Sequence, residues 1–370
     1  MPSHHIVRSV EIASSPRVKQ VEGLFDLPVE KASTVEWDVC SIPTGDWKIG
    51  AIVGPSGSGK TTIAQELFPD AYCRGFDWKL NESTLDSFPR QMSIKDICKL
   101  LSSVGFSSPP AWLRPFHVLS QGEQFRVTVA RMLAQGNPIN VLDEYTSVVD
   151  RTVAKIGSAA VAKTVRKSGT QFVAVSCHYD IIDWLCPDWV YDVGAGQLKE
   201  TGSLQRPAIH LEIVRVHHSA WNLFREYHYL TRELNRSAAC YVAKVDGQPV
   251  AFVGMLSHPH ATKPGWRFTR LVCLPDYQGI GIAIALFKKV AEAYAATHKP
   301  VYARMSHPAV VGALTRDPAF RVISRHAVGA TKQSSTRALS ATRSARRATT
   351  SFRYVGKRDA DAARAWGVLA

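Results

Sequence analysis

A glycine-rich loop between an apolar run and a helical run most constrains what this chain can fold into. IGAIVG at 49–54 is typical of a buried parallel strand, GPSGSGKT occupies 54–61, and TIAQELF continues with helical character. Glycines at this spacing let backbone N–H groups turn towards phosphate oxygens, and the following helix presents its positive N-terminal end. The order strand, loop, helix therefore predicts a nucleotide phosphate site in an α/β domain.

The polar side chains around this loop suit a magnesium nucleotide. Lys60 would reach the β- and γ-phosphates, and Thr61 would supply a hydroxyl to Mg²⁺. INVLDE at 139–144 is a second candidate strand that ends in two carboxylates. Asp143 would hold Mg²⁺ through water, and Glu144 would polarise the attacking water as general base. The residues assigned to phosphate binding are Gly54, Ser56, Gly57, Ser58, Gly59, Lys60, Thr61 and Thr62.

LSQGEQFR at 119–126 lies between these two motifs and resembles the LSGGQ signature of the ABC ATPase superfamily. Ser120 and Gly122 occupy the matching places, whereas Gln121 and Glu123 depart from the commonest form. Ser120, Gly122 and Glu123 are therefore assigned to nucleotide binding. LSxGE variants are familiar among ABC ATPases that act on nucleic acids, which favours that branch.

Two more residues match the superfamily in its order. Asp150 corresponds to the D-loop aspartate, and His178, after the candidate strand 171–177, corresponds to the switch histidine that contacts the γ-phosphate. The resemblance covers 54–178 and implies ATP, Mg²⁺ and a head-to-tail homodimer that shares two ATP sites. Lys60 and Ser120 are only 60 positions apart, which predicts a trimmed helical subdomain.

Two superfamily features remain open in the sequence. Gln91 is the best candidate for the Q-loop glutamine, although its surroundings, PRQMS, match poorly. The aromatic ring that stacks on adenine could be Phe25 or Trp37, and either could equally belong to the core.

Composition indicates the cellular compartment in which the chain is expected. No run of 18 apolar residues is present, and the first 20 residues lack an apolar signal core, so we expect neither a membrane span nor secretion. The seven cysteines are scattered without a CxxC pair, which favours neither disulfides nor zinc. We expect a cytoplasmic protein.

Charge divides the chain into two halves. Residues 1–205 contain 20 Lys/Arg and 22 Asp/Glu, whereas residues 206–370 contain 25 and 9, a net charge of +16. A polyanion partner for the second half, DNA or RNA, is the favoured reading, with a merely basic surface as the alternative. The change in pattern predicts an ATPase domain at 1–203, a linker at 204–214 and a second domain at 215–370. A basic arm is expected at about 330–350.

The second half contains its own glycine motif. LVCLPDYQGIGIAIALF at 271–287 places Gln278, Gly279, Ile280, Gly281, Ile282 and Ala283 between a candidate strand and an amphipathic helix. It resembles the Q/R-x-x-G-x-G/A motif with which GNAT acyltransferases grip the pyrophosphate of acetyl-CoA. The resemblance covers roughly 215–325 and implies an α+β fold and acetyl-CoA or a related acyl-CoA. A glycine-rich helix start without a ligand is the alternative.

The usual acyltransfer residues are missing from their expected positions. LTRD at 314–317 has no tyrosine for a general acid, and the strand 267–274 has no glutamate for a base. Glu226 and His228 are the candidate bases. Tyr229 is a further candidate, with core packing as the alternative, and His258 and His260 are weaker ones.

The sequence therefore predicts an α/β chain: a P-loop ABC ATPase domain followed by an α+β GNAT-like domain. This arrangement resembles a family of archaeal and phage fusions whose acyltransferase half is similar to Mom-type enzymes that modify adenine in DNA. The leading hypothesis is an ATP-dependent N-acyltransferase that acts on nucleic acid. The alternatives are a transporter ATPase subunit, a small-molecule or protein-lysine acetyltransferase with a regulatory cassette, and a binding module with an inactive GNAT fold.

Overall fold

The computed structural model describes residues 3–201, 208–229, 232–259, 263–327 and 348–369. These residues form two compact units. The first contains residues 1–75, 137–147 and 168–205, and the second contains residues 76–136, 148–167 and 206–370. The segment for which the sequence predicts one ATPase domain thus contributes to both units, and the domain boundaries drawn from sequence stay a prediction.

The first unit is built around a six-stranded sheet in the order β4-β5-β6-β3-β7-β8. Its strands are β3 (Ile49–Val53), β4 (Tyr72–Cys73), β5 (Ile139–Leu142), β6 (Gln171–Ser176), β7 (Trp189–Asp192) and β8 (Gln197–Glu200). All neighbouring pairs are parallel except β7 with β8. The apolar runs at 49–54, 139–144 and 171–177 are therefore the buried parallel strands that the sequence predicts.

The remaining elements of the first unit flank this sheet in sequence. β1 (Ser3–Glu11) and β2 (Ala32–Cys40) pair antiparallel as a separate two-stranded sheet, with α1 (Pro16–Phe25) between them in the chain. Helix α2 (Lys60–Leu67) follows β3, and α7 (Ile181–Leu185) follows β6. Gly50 in β3 is required because the Trp189 indole lies only 2.1 Å from where a Cβ would be.

The second unit begins with helices. They are α3 (Ile94–Ser103), α4 (Pro109–Trp112), α5 (Gln121–Ala134) and α6 (Arg151–Val165). Helix α5 begins at Ser120 with a capping box, in which Ser120 Oγ accepts from the Glu123 N–H and the Glu123 carboxylate accepts from the Ser120 N–H. Helix α6 begins at Asp150, whose carboxylate accepts from the backbone of Thr152 and Val153.

A seven-stranded sheet completes the second unit, in the order β14-β15-β13-β12-β11-β10-β9. Its strands are β9 (Glu212–Val216), β10 (Ala239–Val245), β11 (Gln248–His258), β12 (Gly265–Cys273), β13 (Val301–Met305), β14 (Phe320–His326) and β15 (Thr349–Tyr354). The helices are α8 (Ile282–Ala295), α9 (Pro308–Arg316) and α10 (Ala360–Ala365). The predicted turn at Asp246-Gly247 joins β10 to β11, with both residues at positive φ.

One pair of strands in this sheet differs from the rest. β12 and β13 are parallel and are joined only at Trp266–Val301 and Arg267–Tyr302, so their C-terminal parts are not paired with each other. Apolar side chains of α8, including Leu286, Phe287 and Val290, are buried against the same core as the sheet. Among the residues that the structure describes, no helix is both long and apolar enough to cross a bilayer.

Candidate nucleotide and acyl-CoA sites

The predicted phosphate loop connects β3 to α2, and its glycines adopt conformations that other residues avoid. Gly57 and Gly59 have φ of 79° and 94°, and Gly59 is the N-cap of α2. The Lys60 ammonium donates to the Pro55 carbonyl across the loop at 2.6 Å. Ser56, Ser58 and Thr62 lie on the loop and the first turn of α2, as the sequence predicts.

Trp37 lies directly on this loop. Its indole N–H donates to the Ser58 carbonyl at 2.9 Å, and a Cβ on Gly59 would lie 2.4 Å from the ring. Phe25, the other candidate for adenine stacking, is 66% exposed at the end of α1. The structure thus places the Trp37 ring on the phosphate loop.

The two carboxylates after β5 have different environments. Asp143 is buried and accepts a hydrogen bond from Thr61 Oγ1 at 2.9 Å, so the loop hydroxyl and the carboxylate can share one cation. Glu144 is exposed and has φ of 51°, an uncommon conformation for a residue with a side chain. His178 follows β6, and its backbone N–H donates to Ser176 Oγ at 3.1 Å.

The oxygens of Thr61 and Asp143 are hard ligands of the kind that Mg²⁺ prefers. Within the described ranges, no group of three or more His, Cys, Asp or Glu is positioned to hold a metal. The residues therefore fit a magnesium ion that completes its shell with water and nucleotide phosphates, rather than an all-protein cage.

Two residues near Asp143 are absent from the sequence prediction. Tyr72 donates its phenolic hydrogen to the Asp143 carboxylate, and Arg74 Nε donates to the Tyr72 oxygen at 3.2 Å. Burial, followed by the hydrogen bond to Asp143, raises the pKa of Tyr72. Arg74 directly follows β4, the strand that pairs with β5. Gln91, the candidate for the Q-loop glutamine, is exposed on the turn before α3 in the second unit. Only the pairing of β4 with β5, which has no local sequence signal, identifies Tyr72 and Arg74.

The signature residues form the start of α5. Ser120 is exposed, and the Glu123 that departs from the commonest signature completes the capping box. Gly122 is buried, and a side chain there would not fit, because a Cβ would lie 2.9 Å from Val153 Cγ1 on α6. The variant LSQGE thus has a local structural reason, since serine followed three residues later by glutamate satisfies two N–H groups at a helix start.

The glycine motif of the second half connects β12 to α8 through a short 3-10 turn, Pro275–Tyr277. Gly279 and Gly281 have φ of 91° and 106°, and Gly281 is the N-cap of α8. Gln278 spans the loop: its Nε2 donates to the Cys273 carbonyl at 3.0 Å and its Oε1 accepts from the Ser107 N–H at 2.8 Å. Gln278 and Gly279 therefore contact neighbouring protein segments.

An open cleft of about 300 Å³ lies at the start of α8. It is lined by Ala159 and Lys163 of α6, by Ile209 and Leu211 before β9, and by Ile280–Ile282. Ala283 follows, half-buried, on the first turn of α8. Backbone N–H groups at the start of a 14-residue helix favour an anion, and the side chain of Lys163 lines the same cleft.

The candidate bases are placed differently by the structure. The Glu226 carboxylate pairs with Arg232 at 2.6 Å and with Arg225 at 3.5 Å. The His228 ring stacks on Tyr229 and meets the edge of Trp221. Tyr229 is 37% exposed, and its hydroxyl lies 2.8 Å from Ser306 Oγ.

His307 was missed by sequence reasoning. It lies two residues after β13, and among the described residues neither of its buried ring nitrogens has a partner with good hydrogen-bond geometry, while the ring lies near Tyr229 and Trp112. Burial lowers the pKa of His307, and the nearby Ser107 backbone acts in the opposite sense. Since Ser107 also binds Gln278, His307 lies close to the glycine loop. The only signal for His307 is its position just after β13, where β13 is no longer paired with β12, and that is visible only once the sheet topology is known.

The remaining residues of interest add little to the proposed chemistry. His258 ends β11 against the Tyr302 ring. Burial raises the pKa of the Cys273 thiol to about 12, which keeps this neighbour of the loop protonated. His260 lies outside the described residues, as do Lys332, Arg337, Arg343, Arg346 and Arg347 of the expected basic arm.

Comparisons with known proteins address both units. Residues 236–314 match the family model of the acetyltransferase (GNAT) domain. A methionine import ATP-binding protein MetN of Xanthomonas oryzae is 35% identical over 92 residues, 25% of this chain and 27% of that protein. The MetN of Mannheimia succiniciproducens is 23% identical over 228 residues, 51% of this chain and 65% of that protein.

An iron(III) import ATP-binding protein FbpC of Pseudomonas fluorescens is 28% identical over 172 residues, 37% of this chain and 48% of that protein. The chain thus spans between 27% and 65% of the length of these curated relatives. A solved dimeric structure of the ATP-binding cassette MJ0796 with ADP and phosphate aligns with a TM-score of 0.38 and 16% identity, over 46% of this chain and 93% of that one.

The predicted fold class is confirmed. The chain combines an α/β unit, whose mainly parallel sheet carries the predicted phosphate loop, with an α+β sheet in which residues 236–314 match the acetyltransferase (GNAT) family model.

Proposed function

We propose that this chain is an ATP-hydrolysing ABC-type ATPase joined to an acyl-CoA-dependent N-acyltransferase that acts on nucleic acid in the cytoplasm. The observation that carries the ATPase assignment is the 2.9 Å bond between Thr61 and Asp143, which joins the phosphate loop to a buried carboxylate. Mg²⁺ bound there would neutralise developing charge on the phosphates.

The residues of the first unit then have defined tasks. The Lys60 ammonium would leave the Pro55 carbonyl for the β- and γ-phosphates, and Glu144 would orient the attacking water and accept its proton. His178 would contact the γ-phosphate from the end of β6. Ser120, Gly122 and Glu123 would complete the ATP site of a second copy, which makes the working form a homodimer.

The acyltransferase assignment rests on the family match at 236–314 together with the cleft at the start of α8. The diphosphate of acetyl-CoA or a related acyl-CoA would lie at the α8 N-terminus beside Lys163. The acyl group would then reach the region where β12 and β13 are no longer paired with each other, near Tyr229, Ser306 and His307.

His307 is better suited than Glu226 or His228 to remove the proton. Its ring is uncharged at neutral pH because burial lowers its pKa, whereas the Glu226 carboxylate is paired with Arg232. An acceptor amine would form the C–N bond to the thioester carbon and give its proton to His307. The C–S bond would break, and the departing thiolate would take a proton from the Tyr229 hydroxyl. Ser306 would then pass a proton to Tyr229 through their hydrogen bond.

Nucleic acid is proposed as acceptor because residues 206–370 carry a net charge of +16. A basic surface attracts phosphates, and release of counterions makes such binding steeply dependent on salt. The resemblance of this half to Mom-type enzymes supports a base amine as the acceptor. ATP-driven closure could supply the few kcal/mol that exposing a stacked base requires.

The test is transfer of radiolabel from acetyl-CoA by the full chain with Mg-ATP, offered separately to DNA, RNA, a lysine peptide and a free amine. Label on DNA or RNA supports the proposal, and label only on the peptide or the amine overturns the choice of acceptor. Alanine at the five arm residues Lys332, Arg337, Arg343, Arg346 and Arg347 should flatten the salt dependence of binding. Five phosphate contacts predict a slope of about −4 in log affinity against log salt.

A transporter ATPase subunit is the second candidate, because the curated relatives named above are import ATP-binding proteins. Pulldown of the tagged chain from detergent-solubilised membranes separates the two. Stoichiometric recovery of a membrane subunit would favour the transporter.

A further inference from the structure

The proposed acyl-CoA loop, defined as residues 275–281, packs directly on the helices that begin with the signature and D-loop residues. Arg126 of α5 is fully buried, and its Nη2 donates to the Asp276 carbonyl at 3.1 Å. A Cβ on the signature glycine Gly122 would lie 3.7 Å from Asp276 Oδ1. The signature and the acyl-CoA loop are therefore in contact within one compact unit.

The backbone of the loop is held from a second side. The Ser107 N–H binds Gln278 Oε1 at 2.8 Å, and a Cβ on Gly105 would lie 2.8 Å from the Gln278 carbonyl oxygen. A Cβ on Gly279 would lie 2.7 Å from the Gly105 Cα and 2.8 Å from the Ala160 Cβ on α6. Two glycines at positive φ thus allow a backbone-to-backbone approach that leaves no gap.

Charge links the same three elements. The buried Arg126 guanidinium interacts with the carboxylates of Glu123 in the signature, Asp150 at the start of α6 and Asp276 in the acyl-CoA loop. A buried cation needs partners on several sides, because desolvation is costly unless it is compensated. A shift of the start of α5 or α6 would therefore change the electrostatic environment of Asp276, because all three carboxylates interact with the same guanidinium.

We propose that Arg126 is a positioning residue that couples acyl-CoA binding to ATP-dependent pairing of two chains, so that ATP tightens the binding of acyl-CoA. The proposal rests on the proposed function, because Ser120 is taken to complete the ATP site of a second copy and Asp150 is taken as the D-loop aspartate of the same dimer. Engagement of Ser120 and Asp150 fixes the starts of α5 and α6. The packed loop is then ordered before acyl-CoA arrives, which removes part of the ordering cost of binding.

The experiment uses the full-length Glu144→Gln protein, chosen because it should bind ATP without consuming it. Calorimetry measures acetyl-CoA affinity with and without saturating Mg-ATP. Coupling of ordinary size predicts a tightening of about 5- to 150-fold, and reciprocity requires acetyl-CoA to tighten ATP binding by the same factor. An affinity that ATP leaves unchanged or weakens overturns the proposal.

Variants at position 126 distinguish a loss of coupling between the two ligands from a general loss of folding. Arg126→Met keeps an apolar side chain in the buried space and should bring the coupling factor close to 1, with acetyl-CoA affinity in the absence of ATP changed by only a few-fold. Arg126→Lys should restore part of the coupling. Arg131→Met is the matched control: Arg131 is on the same helix but lies on the Phe76 and Trp78 rings, so coupling should persist.

A second measurement separates this proposal from the proposed function. Hydrogen exchange of amides 276–285 is followed with and without ATP and in the absence of any acyl-CoA. Slower exchange with ATP supports the coupling even if acetyl-CoA does not bind, an outcome that would count only against the acyltransferase assignment. Exchange that ATP does not alter contradicts the coupling. Asp276→Asn, at an exposed residue, repeats the test should Arg126→Met not fold.

Discussion

The phosphate loop at 54–61 and the acyl-CoA loop at 275–281 are two versions of one design. Each follows a strand, and in each a glycine at positive φ is the N-cap of the next helix, Gly59 at 94° and Gly281 at 106°. The first loop carries its own cation and metal ligand, Lys60 and Thr61. The second has only Ile280, Ile282 and Ala283 in the corresponding stretch, and its cation, Lys163, comes from α6. Under the proposed function, the same backbone geometry would serve two anion sites whose charged side chains come from different parts of the fold.

The largest expected effect concerns chemistry at the first loop. Glu144→Gln removes the general base and should slow phosphate release by about 10²- to 10⁴-fold, with ATP binding retained. Because hydrolysis no longer separates the pair, size-exclusion chromatography in ATP should show a dimer. Glu66→Gln, an exposed change on α2, is the control. A Glu144→Gln protein that stays monomeric in saturating ATP would contradict the shared-site assembly.

At the second loop the comparable change is His307→Asn. Loss of the proposed base should lower acyl transfer by about 10²-fold or more while acetyl-CoA affinity changes little. In the unchanged protein the rate should rise with pH through a pKa below 6.5 and then stay level, since burial lowers the pKa of His307 and the neutral ring is the active form. An unaltered pH profile in His307→Asn would exclude this role.

Gly281→Glu asks whether the second loop is an anion site at all. The new carboxylate would lie at the α8 N-terminus, where it competes with a diphosphate, and should weaken acetyl-CoA binding by about 100-fold while ATPase activity survives. Gly247→Glu, in the turn between β10 and β11, is the matched control, because Gly247 also has positive φ and open space around it. Equal losses for both variants would point to backbone strain instead.

The smallest expected effect tests the borrowed cation. Lys163→Met should weaken acetyl-CoA binding by about tenfold, and added salt should shrink the difference. Lys155→Met changes a lysine of the same helix that does not line the cleft, and should leave the affinity as it is. Identical affinities for the two variants would remove Lys163 from the site.

The two loops also differ in how far sequence reasoning reaches. Strand, loop and helix are adjacent in the chain, so Gly57, Gly59, Gly279 and Gly281 could be predicted together with the α/β and GNAT-like fold class. Tyr72, Arg74, Lys163 and His307 could not, because each reaches its site through strand pairing or helix packing between distant segments. Packing also engages Gln278 with Ser107, a contact across 171 positions that no local pattern contains.

The indole of Trp37 on the phosphate loop gives the protein a built-in optical reporter. Tryptophan emission responds to nearby charge and to hydration, and the Trp37 N–H is bound to the carbonyl of Ser58, within the loop that a nucleotide would fill. Difference spectra between the natural chain and Trp37→Phe would isolate this one fluorophore among nine tryptophans. Nucleotide arrival and departure could then be timed by stopped flow without any attached dye.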